Sequence, residues 1–246
     1  ATLEECGEST GGLAVRLGVG SVRGLSSAVA REIETHRPFV NMEDLVRKVP
    51  QLHIAQLEAL ATAGAFNESF GQQRRDALWS AGAVIQSRPD RLQGVTTGAA
   101  SPQLPGMQPI DEMIADLWAT GVSTSGHPTE FLRIELERMG VATAMQLPQR
   151  GARGDEKVLV AGTVTHRQRP MTAQGITFIN LEDETGHINV VCSVGCWARY
   201  RKVARGAGAL LVRGRLEVGD GGVINVVAEH IAPLHVTAKV AARNFR

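Results

Sequence analysis

VLVAGTVTH (158–166), ITFINLED (176–183), HINVVC (187–192), ALLVRGRLEV (209–218) and VINVVAEHIA (223–232) are five short runs rich in β-branched residues, separated by turn-forming or polar stretches. Glu184-Thr185-Gly186 makes a tight turn between the second and third. Between the third and fourth, Cys196 to Val203 reads as a short helix. Five strands with one helix after the third is the order of an OB-fold, a small Greek-key barrel. Such barrels bind single strands on the face of strands 2 and 3 and on adjacent loops. The loop His166 to Thr172, between strands 1 and 2, carries Arg167 and Arg169, two cations suited to phosphate contact. Phe178 in strand 2 is placed where a base can stack, or else it is a core side chain. With 4% aromatic residues, a platform of several rings is not available. Single-strand binding here would lean on phosphates and be salt-sensitive.

Upstream of the strands, QRGARGDE (149–156) is a polar break. Ile110, Met113, Ile114, Leu117 and Trp118 make a helical stripe that begins beside Pro109. A second helix is expected after His127-Pro128, carrying Phe131, Leu132, Leu136 and Met139. RPDRLQGVTTGAASPQLPGMQP (88–109) has no hydrophobic period and reads as a linker. Before it the chain reads as short helices: one capped by Asn41 and running to about Val49, one from His53 to Ala63, and one from Gln73 to Gln86. Gly64 suits the position just past the second of these. The expected architecture is α+β in two parts. A helical domain (1–88) precedes a flexible linker (89–109), a helical connector (110–154), an OB-fold (155–236) and a C-terminal tail (237–246).

Composition sets the outer limits. Of 246 residues, 43% are hydrophobic and 21% charged, which supports a folded core and excludes wholesale disorder. No apolar run reaches about 18 residues, so no membrane-spanning helix is predicted. Ala1 to Cys6 has neither a basic start nor an apolar stretch, unlike a signal peptide, and the lack of an initiator Met fits a fragment or a processed chain. Three cysteines (Cys6, Cys192, Cys196) form no framework, so a reducing, cytoplasmic setting is expected. Net charge is +1 overall, but residues 155–246 hold 12 Lys+Arg against 8 Asp+Glu. A basic excess there is what contact with a polyanion needs, and is also what a solvated surface of an Arg-rich chain shows.

Val22-Arg23-Gly24-Leu25-Ser26, followed by a helix through Val29 and Ile33, has the spacing of the hairpin and second helix of a helix-hairpin-helix. A tight turn there aims backbone amides outward, and the next helix adds its positive end. Gly24 lets a phosphate approach, Ser26 stands where the motif has a second Gly and can cap the helix, and Arg23 and Arg31 add charge. The plain alternative is a helical turn packed within a domain. Cys192 and Cys196, with His187, lack the second close pair that structural zinc uses, so no metal is assigned. No GxSxG, HExxH or GxxxxGK[ST] pattern occurs. The carboxylate run Leu181-Glu182-Asp183-Glu184 reads as a solvated hairpin end.

LGVGSVRGL (17–25), PFVNMEDLVRKV (38–49), LEALATAGAF (57–66), RRDALW (74–79), TSGHP (124–128) and TFINLEDETG (177–186) follow in the order seen in bacterial C-family DNA polymerases. The chain thus resembles the DNA polymerase III alpha subunits and their relatives from about Leu13 to its end. Its closing Ala242-Arg243-Asn244-Phe245-Arg246 is most similar to the ending of the family's error-prone, damage-inducible translesion branch. The resemblance implies a C-terminal region of a much longer nucleotidyltransferase. The carboxylates and Mg2+ ions of DNA synthesis would lie upstream, leaving no cofactor and no catalytic residue in this fragment.

On that resemblance, the helix-hairpin-helix residues Arg23, Gly24, Ser26 and Arg31 would hold duplex. The OB-fold residues Arg167, Arg169 and Phe178 would hold single-stranded template. The partners would be primer-template DNA and accessory mutasome proteins, with no membrane. Replicative relatives carry a sliding-clamp peptide, Gln-x-x-apolar-aromatic. The matching Gln103-Leu104-Pro105-Gly106-Met107 lacks both anchors, so direct clamp binding is not expected. One rival is a protein-interaction platform whose OB-fold docks accessory mutasome proteins, which the low aromatic content favours. Another is a stand-alone single-strand binding protein, which the ordered helical motifs disfavour.

Overall fold

Two units divide the chain, Ala1–Val122 and Ser123–Arg246. The computed structural model describes residues 1–7, 9, 11–87, 92, 98, 100–124, 126–151, 156–235 and 243–245. Among these, no helix is long and apolar enough to cross a membrane.

The first unit opens with a hairpin that the sequence pattern did not predict. Strands β1 (Thr2–Glu5) and β2 (Leu13–Arg16) pair antiparallel, Leu3 opposite Val15. Leu3, Leu13 and Val15 all stay largely exposed, so the hairpin lacks the buried face that makes alternation readable. Helices α1 (Ser27–Thr35), α2 (Met42–Lys48), α3 (Ile54–Thr62), α4 (Asn67–Phe70) and α5 (Arg74–Val84) follow. Each starts or stops for a local reason. Asn41 accepts from the Asp44 amide at 2.9 Å and Asp44 accepts from the Val40 amide at 3.0 Å, a reciprocal cap for α2. After α3, Gly64 takes φ +75°, which lets the Ala65 amide turn back to the Leu60 carbonyl. Val29, Ile33, Leu45, Val46, Leu57, Leu60, Phe66 and Ala77 form one buried cluster.

Helix α6 (Pro109–Ala119) also belongs to this unit. Arg74 joins it by a 2.7 Å ion pair to Asp116 and a hydrogen bond to the Glu112 carbonyl, and Met113 is buried. The expected connector 110–154 is therefore not one piece: α6 packs with the helices, and the remainder starts the second unit. The expected linker is also partly held. Ser101 donates to Asp76, and Arg75 donates to the Pro105 carbonyl, laying 101–105 against α5. Residues 88–91, 93–97 and 99 lie outside the described residues. Trp118, expected on a buried stripe, is 47% exposed.

In the second unit, a 3-10 turn (Glu130–Leu132) leads into α7 (Arg133–Arg138), then β3 (Val141–Ala142), a 3-10 turn at Ala144–Gln146 and α8 (Leu147–Gly151). The helix expected after His127-Pro128 is thus shorter than its apolar pattern suggested. The strands β4 (Lys157–Gln168), β5 (Thr177–Asp183) and β6 (Gly186–Cys192) come next, followed by helix α9 (Val194–Gly206) and strands β7 (Ala209–Val218) and β8 (Ile224–Pro233). Pairing runs β4-β5-β6-β8-β7 and returns from β7 to β4, so the five strands close an OB-fold barrel in the expected order. Its core holds Val160, Val164, Ile179, Leu181, Ile188, Val190, Leu210, Val212 and Val226, alternate residues of each strand.

β4 reaches further than expected, to Gln168. Its first half pairs β7 and, in parallel, β3; its second half pairs β5 and, in parallel, β9 (Arg243–Phe245). Part of the expected tail is therefore strand, while 236–242 and 246 lie outside the described residues. Two glycines let the strands close. A Cβ on Gly162 would stand 2.7 Å from the Glu182 carbonyl oxygen, and one on Gly214 only 2.3 Å from that of Val227.

The carboxylate run at 181–184 is a buried lock, contrary to the expected solvated hairpin end. Asp183 Oδ1 accepts from the Thr185 amide (2.7 Å), the Thr185 hydroxyl (2.7 Å) and the Gly186 amide (3.0 Å), while Oδ2 accepts from the Ala144 amide (2.8 Å). Arg133 grips Glu184 with two bonds, Nε at 2.5 Å and Nη2 at 2.9 Å, and the Thr129 hydroxyl donates at 2.6 Å. Burial pushes the Glu184 carboxyl up, but the Arg133 and Thr129 bonds outweigh it and hold it below its ordinary value. His127 Nδ1 lies 2.7 Å from the Thr129 hydroxyl, and burial holds the ring below its ordinary pKa despite the carboxylates of Glu182, Glu184 and Asp183. The segment 127–133 is thereby fastened to the β5–β6 turn.

Candidate nucleic-acid interfaces

In the first unit, a 3-10 turn at Val19–Ser21 leads to a tight reversal, with the Leu25 amide bonded to the Val22 carbonyl. Gly24 sits at φ +78° with no atom within 4 Å of the place a Cβ would take. That conformation favours glycine, and the open space admits a ligand to the backbone. Ser26 does keep a cap in place of the second Gly: its backbone is extended and its hydroxyl accepts from the Val29 amide at 3.3 Å. The buried Gln56 side chain donates to the Gly24 carbonyl at 3.2 Å, turning that oxygen inward. Among the described residues, the amides of Gly24, Ser26, Ser27 and Ala28 donate to nothing. Unpaired amides at a helix start form an anion cradle.

The flanking cations have definite positions. The Arg23 amide donates to the Ala119 carbonyl at 2.7 Å, and its guanidinium lies 5.5 Å from the Trp118 ring centroid. Arg31 is exposed, its Nε 3.3 Å from the Ser27 carbonyl oxygen. Arg23, Gly24, Ser26 and Arg31 are thus carried on one turn and the helix it starts. Trp118, an exposed ring beside that turn, was missed because its spacing read as core.

On the barrel, outward positions of neighbouring strands line up in two rows. Gln168, Phe178, Val191, Val227 and Arg215 are successive partners across β4, β5, β6, β8 and β7. One step along, Asn180, Asn189, Asn225 and Glu217 form a parallel row, with Asn180 donating to Asn189 at 3.1 Å. Phe178 is 40% exposed, so it is not a core side chain. Arg169 is exposed in the loop after β4. The amide row was readable only as the polar half of the strand alternation.

Arg167 must be corrected. It lies in β4, not in a loop, and is 6% exposed. Its Nε donates to the Ala204 carbonyl at 2.6 Å and its Nη2 to the Ala207 carbonyl, so the guanidinium closes the C-terminal end of α9. Burial pushes its pKa down, the opposite of what a solvated phosphate-binding arginine experiences. The cysteines are free thiols; burial raises Cys192 to about 12. Among the described residues, no group of three or more His, Cys, Asp or Glu side chains is placed to hold a metal ion.

Comparison with known proteins bears on both surfaces. Residues 1–77 match the helix-hairpin-helix motif family, and residues 158–234 match the OB-fold nucleic acid binding domain family. The chain is 50% identical, over 96% of its length, to the error-prone DNA polymerases of Mycobacterium bovis (strain ATCC BAA-935 / AF2122/97) and Mycobacterium tuberculosis (strain ATCC 25618 / H37Rv), covering 21% of each. It is 47% identical to the error-prone DNA polymerase of Nocardia farcinica over 100% of its length, covering 22% of that protein. The chain therefore spans about a fifth of these curated relatives. Among solved structures, asparaginyl-tRNA synthetase from Pyrococcus horikoshii, complexed with asparaginyl-adenylate, aligns at a TM-score of 0.33 and 19% identity, over 40% of this chain and 23% of that one.

Proposed function

We propose that this chain, homologous over nearly its whole length to a segment of the error-prone DNA polymerases, is the part of such a polymerase that holds DNA during translesion synthesis and damage-induced mutagenesis. The helix-hairpin-helix takes duplex backbone at Gly24 and the start of α1, with Arg23 and Arg31 beside it. The barrel takes single-stranded template along the Phe178 row, where one exposed ring stacks a base, the asparagine row offers amides to base edges, and Arg169 meets phosphates. The nucleotidyl-transfer site and its Mg2+ ions belong, on this reading, to polypeptide outside this chain.

The observation that carries the reading is the cradle: a glycine in the left-handed region, open space above it and four amides without acceptors. Gly24→Val places a branched side chain in that space. Duplex binding should weaken at least tenfold by fluorescence anisotropy while circular dichroism keeps the helical signal, the turn itself having to readjust because a side chain at φ +78° is strained. A folded variant that binds duplex normally would show the turn to be structural only.

A second reading has Val191 and Val227, beside Phe178, making an apolar strip that docks an accessory mutasome protein. Salt separates the two. Phosphate binding weakens steeply between about 50 and 200 mM salt, whereas an apolar contact does not.

A further inference from the structure

We infer that the outer face of α9 is a phosphate-backbone track, additional to the barrel's strand face and to the hairpin, which extends the path of bound DNA along the helix. The inference rests on reading the chain as DNA-binding. At 3.6 residues per turn, Cys196, Trp197, Tyr200, Val203 and Ala204 fall on one side of α9, and these residues pack into the barrel. Val194, Ala198, Lys202 and Arg205 fall on the opposite side, with Arg199, Arg201 and Gly206 at its margins. Ala198, Arg199, Arg201, Lys202, Arg205 and Gly206 line an open hollow of about 710 Å³. Ala198 and Gly206 stand about two turns apart along it, with the long cations between and beside them.

None of Arg199, Arg201, Lys202 and Arg205 has a carboxylate or hydrogen-bond partner among the described residues; Arg199 acts electrostatically only on the neighbouring Cys196 thiol. Elsewhere on the molecule, surface cations such as Arg16, Lys48 and Arg150 pair with acids. Like charges three and four residues apart, as in Arg199–Lys202 and Arg201–Arg205, disfavour a helix. Arg205 alone is explained by the negative end of the helix, since it sits in the last turn. The mid-helix cations are not, and a bound polyanion would relieve them.

The track continues beyond the helix. Arg169 Nη2 and Val194 Cγ2 lie 3.3 and 3.1 Å from the position a Gly175 Cβ would take, which sets Arg169 at the first turn of α9. From Val194 to Arg205 the helix rises roughly 16 Å, so the cations form an elongated stripe. Arginine suits phosphate through its bidentate fork. An acidic protein partner is the weaker fit. Tight protein contacts centre on buried aromatic or aliphatic anchors, and no aromatic or branched aliphatic side chain lines the hollow.

The test replaces Arg199, Arg201, Lys202 and Arg205 together by Gln and measures oligo(dT) binding across a salt series. Affinity should fall about 10- to 100-fold at low salt, and the slope of log K against log salt should flatten by up to about three units, at ~0.7 for each of four lost phosphate contacts. Phe178→Ala should weaken binding with the slope unchanged. As a direct readout in the unaltered protein, oligo(dT) should protect Lys202 from acetylation and leave Lys48 as reactive as before. An unchanged slope together with an unprotected Lys202 overturns the inference while Phe178 and Gly24 retain their roles. Loss of binding to polyglutamate but not to oligo(dT) also overturns it, in favour of an acidic protein. A wild-type chain that binds no DNA at all removes the functional reading itself.

Discussion

Glu184→Gln keeps the size of the side chain and removes its charge, which isolates the lock between 127–133 and the β5–β6 turn. In the wild type, Arg133 gives two hydrogen bonds to that carboxylate and both side chains are about 15% exposed. Removing one member of a buried pair costs about 3–5 kcal/mol, because the other charge is left without its partner. Two features reduce that here. Asp183 stays 4.0 Å from Arg133, and a Gln oxygen can still accept one bond. One feature works against relief, since Arg133 Nη1 already lacks a partner. The expected loss is about 2–3 kcal/mol in the second unit, or roughly 30- to 150-fold faster exchange of those barrel amides that open only with the whole unit.

Hydrogen exchange read by mass spectrometry suits this chain because peptides from the helices of the first unit act as an internal control. The pH dependence has a definite sign. Glu184 has its folded pKa below its unfolded one, so its contribution is complete above about 4.5 and is lost as acidification passes through the lower folded value. The gap between wild type and variant should therefore be full at pH 7 and shrink below pH ~4. A rise of less than about threefold at pH 7, or a gap that persists unchanged in acid, would refute the reasoning.

Two further outcomes follow from close contacts in the barrel. Gly214→Ala places a methyl 2.3 Å from the Val227 carbonyl oxygen, so the β7–β8 pairing must shift; a loss of at least ~3 kcal/mol is expected, and a soluble variant with wild-type barrel exchange would count against it. Arg167→Met and Arg169→Ala should separate cleanly. The first destabilises the barrel by ~1–3 kcal/mol, because carbonyls of α9 lose their donor; the second leaves stability alone and weakens oligo(dT) binding with a salt slope about 0.7 shallower. A stable Arg167→Met chain with impaired DNA binding would reverse the two assignments.

The barrel was legible because each strand buries one side, so period two survives in the residues, and Gly186, Gly206 and Pro233 lie at or next to strand and helix ends. What failed to show was anything decided at long range. Arg167 sits in a polar stretch that reads as loop, and only the arrival of Ala204 and Ala207, 37 and 40 residues on, makes it interior. Glu184 looks solvated until Thr129 and Arg133, more than 50 residues earlier, fold onto it. At the hairpin, Gly24 was identified by spacing alone. Its exposed neighbour Trp118 comes from a helix about 95 residues away, whose own periodicity pointed inward.

The shared strand β4 also dictates an order of assembly. Its pairs with β5 span 10 to 19 residues of chain, from Gln168 with Phe178 to Thr163 with Glu182. Those with β7 span 46 to 58, from Thr163 with Ala209 to Lys157 with Arg215. Local pairings form readily and distant ones wait on loop closure, so a β4-β5-β6 meander should precede the closed barrel. On a ribosome adding about 5–20 residues per second, the first half of β4 would wait some 2–12 s for β7 to be made. Through that interval its edge is an open template for any other strand, a hazard that ends only when Ala209–Val218 takes its place.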